Sequence, residues 1–269
     1  MNTWFVCSDI HSFYDEWMLA LDSKKFDINN PEHKIIVCGD LFDRGKQTVQ
    51  CYEFAKKMLE EKRMVYVLGN HEQLMLNLLH QVSFGVDIGG HHISNGTLSS
   101  LAHFMGKSEY DIICGVFTTK EFDKAFSTIS DLINYSCVNY FELGDFIFVH
   151  SWIPTTEDDV GNFIIDPNWR TKKADWNRAL WGNPFDEWAY GVGSPEGKTV
   201  VVGHWHTSYA HSHFNNDGTE WGVDANFDIF KRNGIIGLDA CTAFTHMVNC
   251  LVIEEDENGT YHIKQEDSN

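Results

Sequence analysis

Five polar clusters stand out in this sequence: Asp9 with His11, Asp40 with Asp43 and Arg44, Asn70 with His71, His150, and His204 with His206. Each lies directly behind a short apolar run. A carboxylate and an imidazole two residues apart, or two imidazoles at that spacing, can face one ion, and hard oxygen with borderline nitrogen suits manganese, iron or zinc. Asn70, His71 and Glu72 follow Gly69 in succession, a run that packing does not require. Arg44 carries a planar, permanently charged fork matched to phosphate oxygens. Chance placement of all five clusters behind apolar runs is improbable, so they are taken together as one site for divalent cations and a phosphate.

Such a site needs strands that end at a common edge. Residues 3–8, 35–38, 64–68, 145–149 and 199–202 are short and rich in β-branched or aromatic residues, and each delivers one cluster. Asp9 to Asp40 is 31 residues and Asp40 to Asn70 is 30, the spacing of successive strand–helix–strand units. Residues 48–61 supply the helical pattern between two of these strands. In α/β sheets this strand edge is where ligands bind. Residues 81–135 begin with a glycine- and histidine-rich loop and continue with helical patterns, clearest at 122–133, which predicts a helical insert or cap. Its His80, His91, His92 and His103 lack partners at ligand spacing. Residues 137–143 and 145–149 read as two strands around Gly144. Six of the nine tryptophans fall between 152 and 205, in a stretch with four prolines, which predicts long structured loops. His211 and His213 repeat the two-residue spacing but sit inside a strand-like run at 209–214, and are set aside. Residues 234–239 and 246–253 predict further strands, and 254 onward an acidic, frayed end.

Composition sets the outer bounds. At 269 residues, 43% hydrophobic and 22% charged, the chain is an ordinary globular protein. No repeat, low-complexity tract or linker divides the clusters, so a single domain over 1–269 is expected. Formal net charge is −19, from 20 Lys plus Arg against 39 Asp plus Glu. A field of that sign repels nucleic-acid backbones. The expected partner is a phosphorylated protein or a small phosphate ester, with no extended nucleic acid. No apolar stretch is long enough to span a membrane, and the N-terminus lacks the basic region and apolar core of a signal peptide, so a cytoplasmic location with no membrane partner is expected. The seven cysteines form no CxxC pair and read as reduced thiols.

The five clusters resemble the motifs of the calcineurin-like metallophosphoesterases, and most closely those of the phosphoprotein phosphatase family: GDxHG, GDxxDRG, GNHE, HG(G/A) and GH. The resemblance runs from Asp9 to His206. It implies an α/β (α+β) fold, a four-layer sandwich of two mixed sheets flanked by helices. It implies that Asp9 and His11 hold one metal, that Asn70, His150 and His204 hold a second, and that Asp40 bridges them. His71 would be the general acid, oriented by Asp43, and Arg44 would bind phosphate with Asn70. The cofactor implied is two divalent ions, manganese first, iron or zinc as alternatives. The physical reasons are general: a carboxylate can bridge cations about 3.5–4 Å apart, and such cations acidify a water for in-line attack. An imidazole paired with a carboxylate can protonate an alkoxide leaving group.

Several residues depart from the family pattern. Ser8 and Ser12 replace glycines, and Ser151 and Trp152 replace small residues after His150, so Trp152 is expected to narrow the cleft. Leu68 stands where many protein phosphatases have an arginine. A further phosphate-binding arginine is expected ahead of a Leu-Trp element, which makes Arg178 the candidate and Arg170 the second choice. His206 is an extra histidine that the broader superfamily uses on the first metal. The expected activity is hydrolysis of phosphoserine, phosphothreonine or a similar monoester by a metal-bound hydroxide. The alternatives are a symmetrical diadenosine tetraphosphatase, which Leu68 favours, a phosphodiesterase, which His206 favours, and a scaffold without catalysis, which the complete ligand set disfavours.

Overall fold

The computed structural model describes residues 1–265, without the side chains at 173, 174 and 192. Strands β1 (Thr3–Cys7), β2 (His33–Cys38), β3 (Met64–Val67) and β4 (Cys137–Val138) lie side by side and parallel. The chain then crosses to a second sheet with β5 (Phe141–Leu143) and β6 (Phe146–Phe148), and makes a separate hairpin from β7 (Thr155–Glu157) and β8 (Phe163–Ile165). It returns with β9 (Thr199–Val202), parallel to β6, and with β10 (Phe230–Arg232) and β11 (Ile235–Gly237). Finally β12 (Leu251–Glu255) pairs antiparallel with β1, and β13 (Tyr261–Ile263) with β12.

Period-two alternation explains the layering. Trp4 and Val6 of β1 and Ile36 and Cys38 of β2 point between the sheets, where they meet Phe148, Val201 and Ile236. Phe5, Cys7, Ile35 and Val37 point the other way, onto helices α1 (Tyr14–Ser23) and α2 (Thr48–Glu60). In the second sheet Val201 faces the inter-sheet core, while Val200 and Val202 face an outer layer with Trp152, Trp169 and Trp176. Both faces of these strands are covered, so they are continuous apolar runs. The result is a four-layer α/β sandwich of two mixed sheets.

Helix α3 (Asn70–Ser83) leaves the end of β3 and leads into α4 (Gly90–Ser94), α5 (Thr97–Met105), α6 (Glu109–Ile113) and α7 (Thr119–Ser136) before β4 begins. This excursion has its own core, in which Leu78 and Leu79 of α3 meet Leu98 and Leu101 of α5 and Ile129 and Ile133 of α7. Ser108 and Thr118 open α6 and α7 with reciprocal side-chain caps on Asp111 and Glu121.

Three expectations from the sequence change. The run 137–143 is two strands in different sheets, because Tyr140 turns out to stack on Trp176 and carries the chain across. Residues 209–214 are helical turns and not a strand: Tyr209 stacks on His213, four residues on, at 4.0 Å. The end is not frayed at Glu254. The Asp256 carboxylate accepts the N–H groups of Asn258 and Thr260, closing a turn that lets β13 pair with β12; residues 266–269 lie outside the described residues. All seven cysteines are free, and among the described residues no helix is long and apolar enough to cross a membrane.

Candidate metal centre

Parallel strands β1, β2 and β3 of one sheet and β6 and β9 of the other bring their carboxyl ends to one edge, and each predicted cluster sits there. The two sheets are joined at that edge by His150 Nδ1–H, which donates to the Cys38 carbonyl at 2.9 Å. The loops turn sharply. Asp9, His11, Asp40, Asp43, Arg44 and His204 all have left-handed φ, between 50° and 77°. Such conformations cost about 1–3 kcal/mol each and persist only where surrounding bonds over-determine them. Here His11 N–H donates to the Asp40 carbonyl, Gly45 N–H to the His11 carbonyl, and His204 N–H to the Asp9 carboxylate.

The side chains converge in two groups that share Asp40. His11, Asp40 and His71 form one, and Asp40, His150 and His204 the other, with ligand atoms of each group within 4.8 Å. Asp9 lies beside the first, its Oδ1 4.0 Å from His11 Nε2. Asn70 lies within the second: its Oδ1 is 2.8 Å from His150 Nε2 and 3.1 Å from His204 Nδ1. Outer bonds set the ring tautomers. His11 Nδ1–H donates to the Phe42 carbonyl at 3.0 Å, His150 is held likewise by the Cys38 carbonyl, and the His204 ring lies beside the Trp181 backbone. Burial first holds all three rings neutral, lowering His11, His150 and His204, the last to about 3. Their inward nitrogens are therefore lone pairs.

This donor set fits cations. His150 Nε2 and the Asn70 amide oxygen, two lone-pair atoms 2.8 Å apart, repel each other without a positive charge between or beside them. Asp9, Asp40 and Asp239 are buried together, and burial followed by the charges of Asp239 and Asp40 pushes the Asp9 carboxyl well up. Buried carboxylates in contact relax when a metal shares them.

His71 is built differently. Its Nδ1 is 2.7 Å from Asp43 Oδ2, and its Nε2 faces the centre, 3.8 Å from Asp40 and 3.3 Å from the Arg44 guanidinium. Burial pulls its pKa down, but Asp40 and the Asp43 hydrogen bond outweigh it, and the net shift is upward. Arg44 itself is exposed.

Other predicted residues lie elsewhere. His206 joins neither group. Its Nδ1 is 2.9 Å from Ser208 Oγ, its Nε2 is 3.4 Å from Glu220, and its ring packs on Trp221 at 4.4 Å, so helix capping and aromatic packing claim it. Arg178 is exposed and lines a cavity of about 630 Å³ with Trp152, Trp181, Phe163 and Glu187. This cavity adjoins the centre through Trp152, two residues past His150, and the Trp181 backbone beside His204. Arg170 is a strut: it pairs with Glu142 at 2.6 Å and Glu196 at 2.8 Å over the Trp169 ring. Trp152 is buried, while Trp181 is exposed at the cavity. His92 and His103 bond to Asn77 and Thr48.

Residues given no role from the sequence also shape the centre. The buried Glu72 carboxylate accepts N–H groups of Gly69, Asp40 and Leu41 and the Tyr66 hydroxyl, stapling the Asp40 loop to α3; burial and Asp40 raise it to about 7. A Cβ at Gly69 would lie 2.2 Å from Asp40 Oδ1, so only glycine fits there. Asp239, raised to about 6 by burial, faces Asp9 and Asp40. Glu72 closes the GNHE motif that the sequence displays, and only tertiary placement reveals Asp239.

Comparison with known proteins agrees with this geometry. The family model for calcineurin-like phosphoesterases matches residues 4–246. The chain is similar to the symmetrical bis(5'-nucleosyl)-tetraphosphatase of Haemophilus influenzae, 34% identical over 88 residues, covering 33% of this chain and 28% of that protein. It is similar to the asymmetrical enzyme of Bacillus velezensis, 33% identical over 72 residues, covering 24% and 29%. The matched stretches span less than a third of these two relatives' own lengths. Among solved structures, a serine/threonine phosphatase from Saccharomyces cerevisiae superposes with a TM-score of 0.53 at 11% identity, covering 100% of this chain and 81% of that one. A cold-active protein-tyrosine phosphatase of a psychrophilic Shewanella gives 0.51 at 14% identity, covering 98% and 81%. At such identities these structures share the fold alone. With the family model matched over nearly its whole length, this chain belongs to the calcineurin-like phosphoesterases.

Proposed function

We propose that the protein is a dinuclear-metal phosphomonoesterase acting on phosphoserine, phosphothreonine or a similar alkyl phosphate. The observation that carries this is the buried His71 and Asp43 pair with the Arg44 fork 3.3 Å from His71 Nε2. Asp9 and His11 would hold one ion, Asn70, His150 and His204 the other, with Asp40 between them; His206 is left out, because Ser208 and Glu220 occupy its ring. Manganese suits the mixed set of three oxygen-donor residues and three imidazoles, with iron or zinc as alternatives. Two bound ions supply the Lewis acidity that draws charge off the phosphoryl group and acidifies a water.

The chain's own residues do the rest. With Nδ1–H on Asp43, the neutral His71 ring takes a hydrogen bond from Arg44 through Nε2. A phosphate dianion competes for the guanidinium, forming bidentate charge-assisted bonds with it. Nε2 is then free to carry a proton, which Asp43 stabilises, and to give it to the departing alkoxide. Aryl leaving groups need no such proton, so the dyad supports alkyl esters.

A second reading is hydrolysis of diadenosine tetraphosphate, favoured by the names of the curated relatives and by Leu68 ahead of the GNHE motif. The diesterase reading loses the support that His206 lent it. The deciding experiment is a kcat/KM panel on metal-stripped protein reloaded with manganese, using a phosphoserine peptide, diadenosine tetraphosphate, an aryl monoester and an aryl diester. We expect preference for the peptide; preference for the dinucleotide overturns the phosphomonoesterase reading.

A further inference from the structure

We propose that Thr97, in the first turn of α5, is a positioning residue for the general acid, so that the acid is a chain of Thr97, Asp43 and His71. The inference rests on the reading of His71 as proton donor. Asp43 is fully buried, and its Oδ2 accepts two hydrogen bonds, from His71 Nδ1 at 2.7 Å and from the Thr97 hydroxyl at 2.8 Å. Its Oδ1 has no hydrogen-bond partner among the described residues. The Asp43 N–H donates to Ser100 Oγ at 2.9 Å, and Thr97 and Ser100 are both fully buried. Gly96, with φ of +80°, lies so close that a Cβ there would come within 2.5 Å of the Arg44 nitrogen. Three residues at the start of α5 are thus moulded to a turn whose own residues, Asp43 and Arg44, have φ of 77° and 61°.

The physical consequence concerns rotation. A carboxylate held only by the imidazole it is meant to orient can turn about its Cβ–Cγ bond, and the ring turns with it. A second donor on the same oxygen, fixed to a helix with its own core, sets the carboxylate plane and hence the direction of Nδ1–H. Geometry of this kind is what supporting shells supply at catalytic sites. Ser100 does the same for the backbone, holding a left-handed residue in place. The helical excursion therefore reaches the chemistry through Asp43, without touching substrate.

The test is Thr97→Val, which keeps volume and removes the hydroxyl, on manganese-loaded enzyme. We expect kcat on glycerol phosphate to fall about tenfold, the loss of one charged-acceptor hydrogen bond, with KM little changed. Nitrophenyl phosphate should slow far less, and Thr97→Ser should restore the wild-type ratio of the two substrates. Independently, on metal-free protein, the low-field proton resonance of His71 Nδ1–H, assigned by its absence in His71→Asn, should broaden in Thr97→Val and return in Thr97→Ser. Equal slowing of both substrates in Thr97→Val, or an unchanged resonance, overturns the inference. If Thr97→Val does not fold, Thr97→Ser decides alone: an altered substrate ratio there, with the hydroxyl retained, overturns it. If His71→Asn itself slows both substrates equally, the reading of His71 falls, and the inference with it; if only His71→Asn separates them, the inference alone falls.

Discussion

Two long excursions from the sheets border the same centre and treat it in opposite ways. The helical one, from α3 to the end of α7, buries an apolar core of its own and presses α5 against the Asp43 and Arg44 turn. The tryptophan-rich one, between β6 and β9, puts Trp152, Trp169 and Trp176 on the outer face of the second sheet and leaves a cavity lined by Arg178 and Trp181. The first is a brace and the second is a wall. A brace acts on the reacting atoms, through kcat, and a wall acts on whatever the phosphate is attached to, through KM.

Substitutions can separate the two. The largest effect is expected at Asp40, which both halves of the centre share: Asp40→Asn should lower kcat at least about a thousandfold and lose bound metal with it, measured by rate and by metal content after dialysis. A variant that kept both ions and its rate would remove the shared-ligand assignment. Next, His71→Ala should keep its metals yet slow alkyl phosphates about a hundredfold or more, with aryl phosphates slowed much less; a flat dependence on leaving group would deny the acid role. On the wall, Arg178→Ala should raise KM for a phosphoserine peptide about tenfold and leave kcat nearly unchanged, since Arg178 faces the cavity and not the centre. A kcat loss without a KM change would move Arg178 from wall to brace.

The smallest effect tests how firmly the wall is tied down. Glu142 binds Arg170 and Lys198, and Arg170 reaches on to Glu196. The Arg170 hydrogen bond, aided by Lys198, lowers the Glu142 carboxyl to about 2. A depressed carboxyl contributes stability above its unfolded pKa of about 4.3, and that contribution fades as pH falls towards the folded value. Glu142→Gln should therefore lower Tm by about 2–4 °C near pH 6, and the deficit should shrink between pH 4.3 and the folded value of about 2. A deficit that does not change with pH would mean packing, and not charge, anchors the strut.

Asp9, Asp40, Asn70, His71, His150 and His204 could be picked out because chemistry of this kind needs particular residue types behind apolar runs, and both features are local. The strands β1, β2 and β9 were equally legible, since they are buried on both faces and therefore stay apolar throughout; their four-layer arrangement was implied by the family resemblance alone. His206 was legible in the sequence only as a candidate ligand. Its spacing from His204 is that of a ligand pair, yet the direction of its ring is set by Ser208, Glu220 and Trp221, the last two more than a dozen residues away. Arg170 and Arg178 were alike in sequence, and what separates them is two carboxylates brought to Arg170 from β5 and from Glu196. The strand-like residues 209–214 coil because Tyr209 and His213 stack across a helical turn.

Residue type and spacing thus picked out the candidates for binding cations and a phosphate, because a side chain's capacity to do so belongs to the side chain itself. Tertiary structure decided which of them meet. Thr97 and Ser100 lie 54 and 57 residues beyond Asp43, and Asp239 lies 230 beyond Asp9. Nothing in their local sequence marks them, since a hydroxyl or carboxylate acquires its role only when folding buries it beside a charge and leaves it no water to bond.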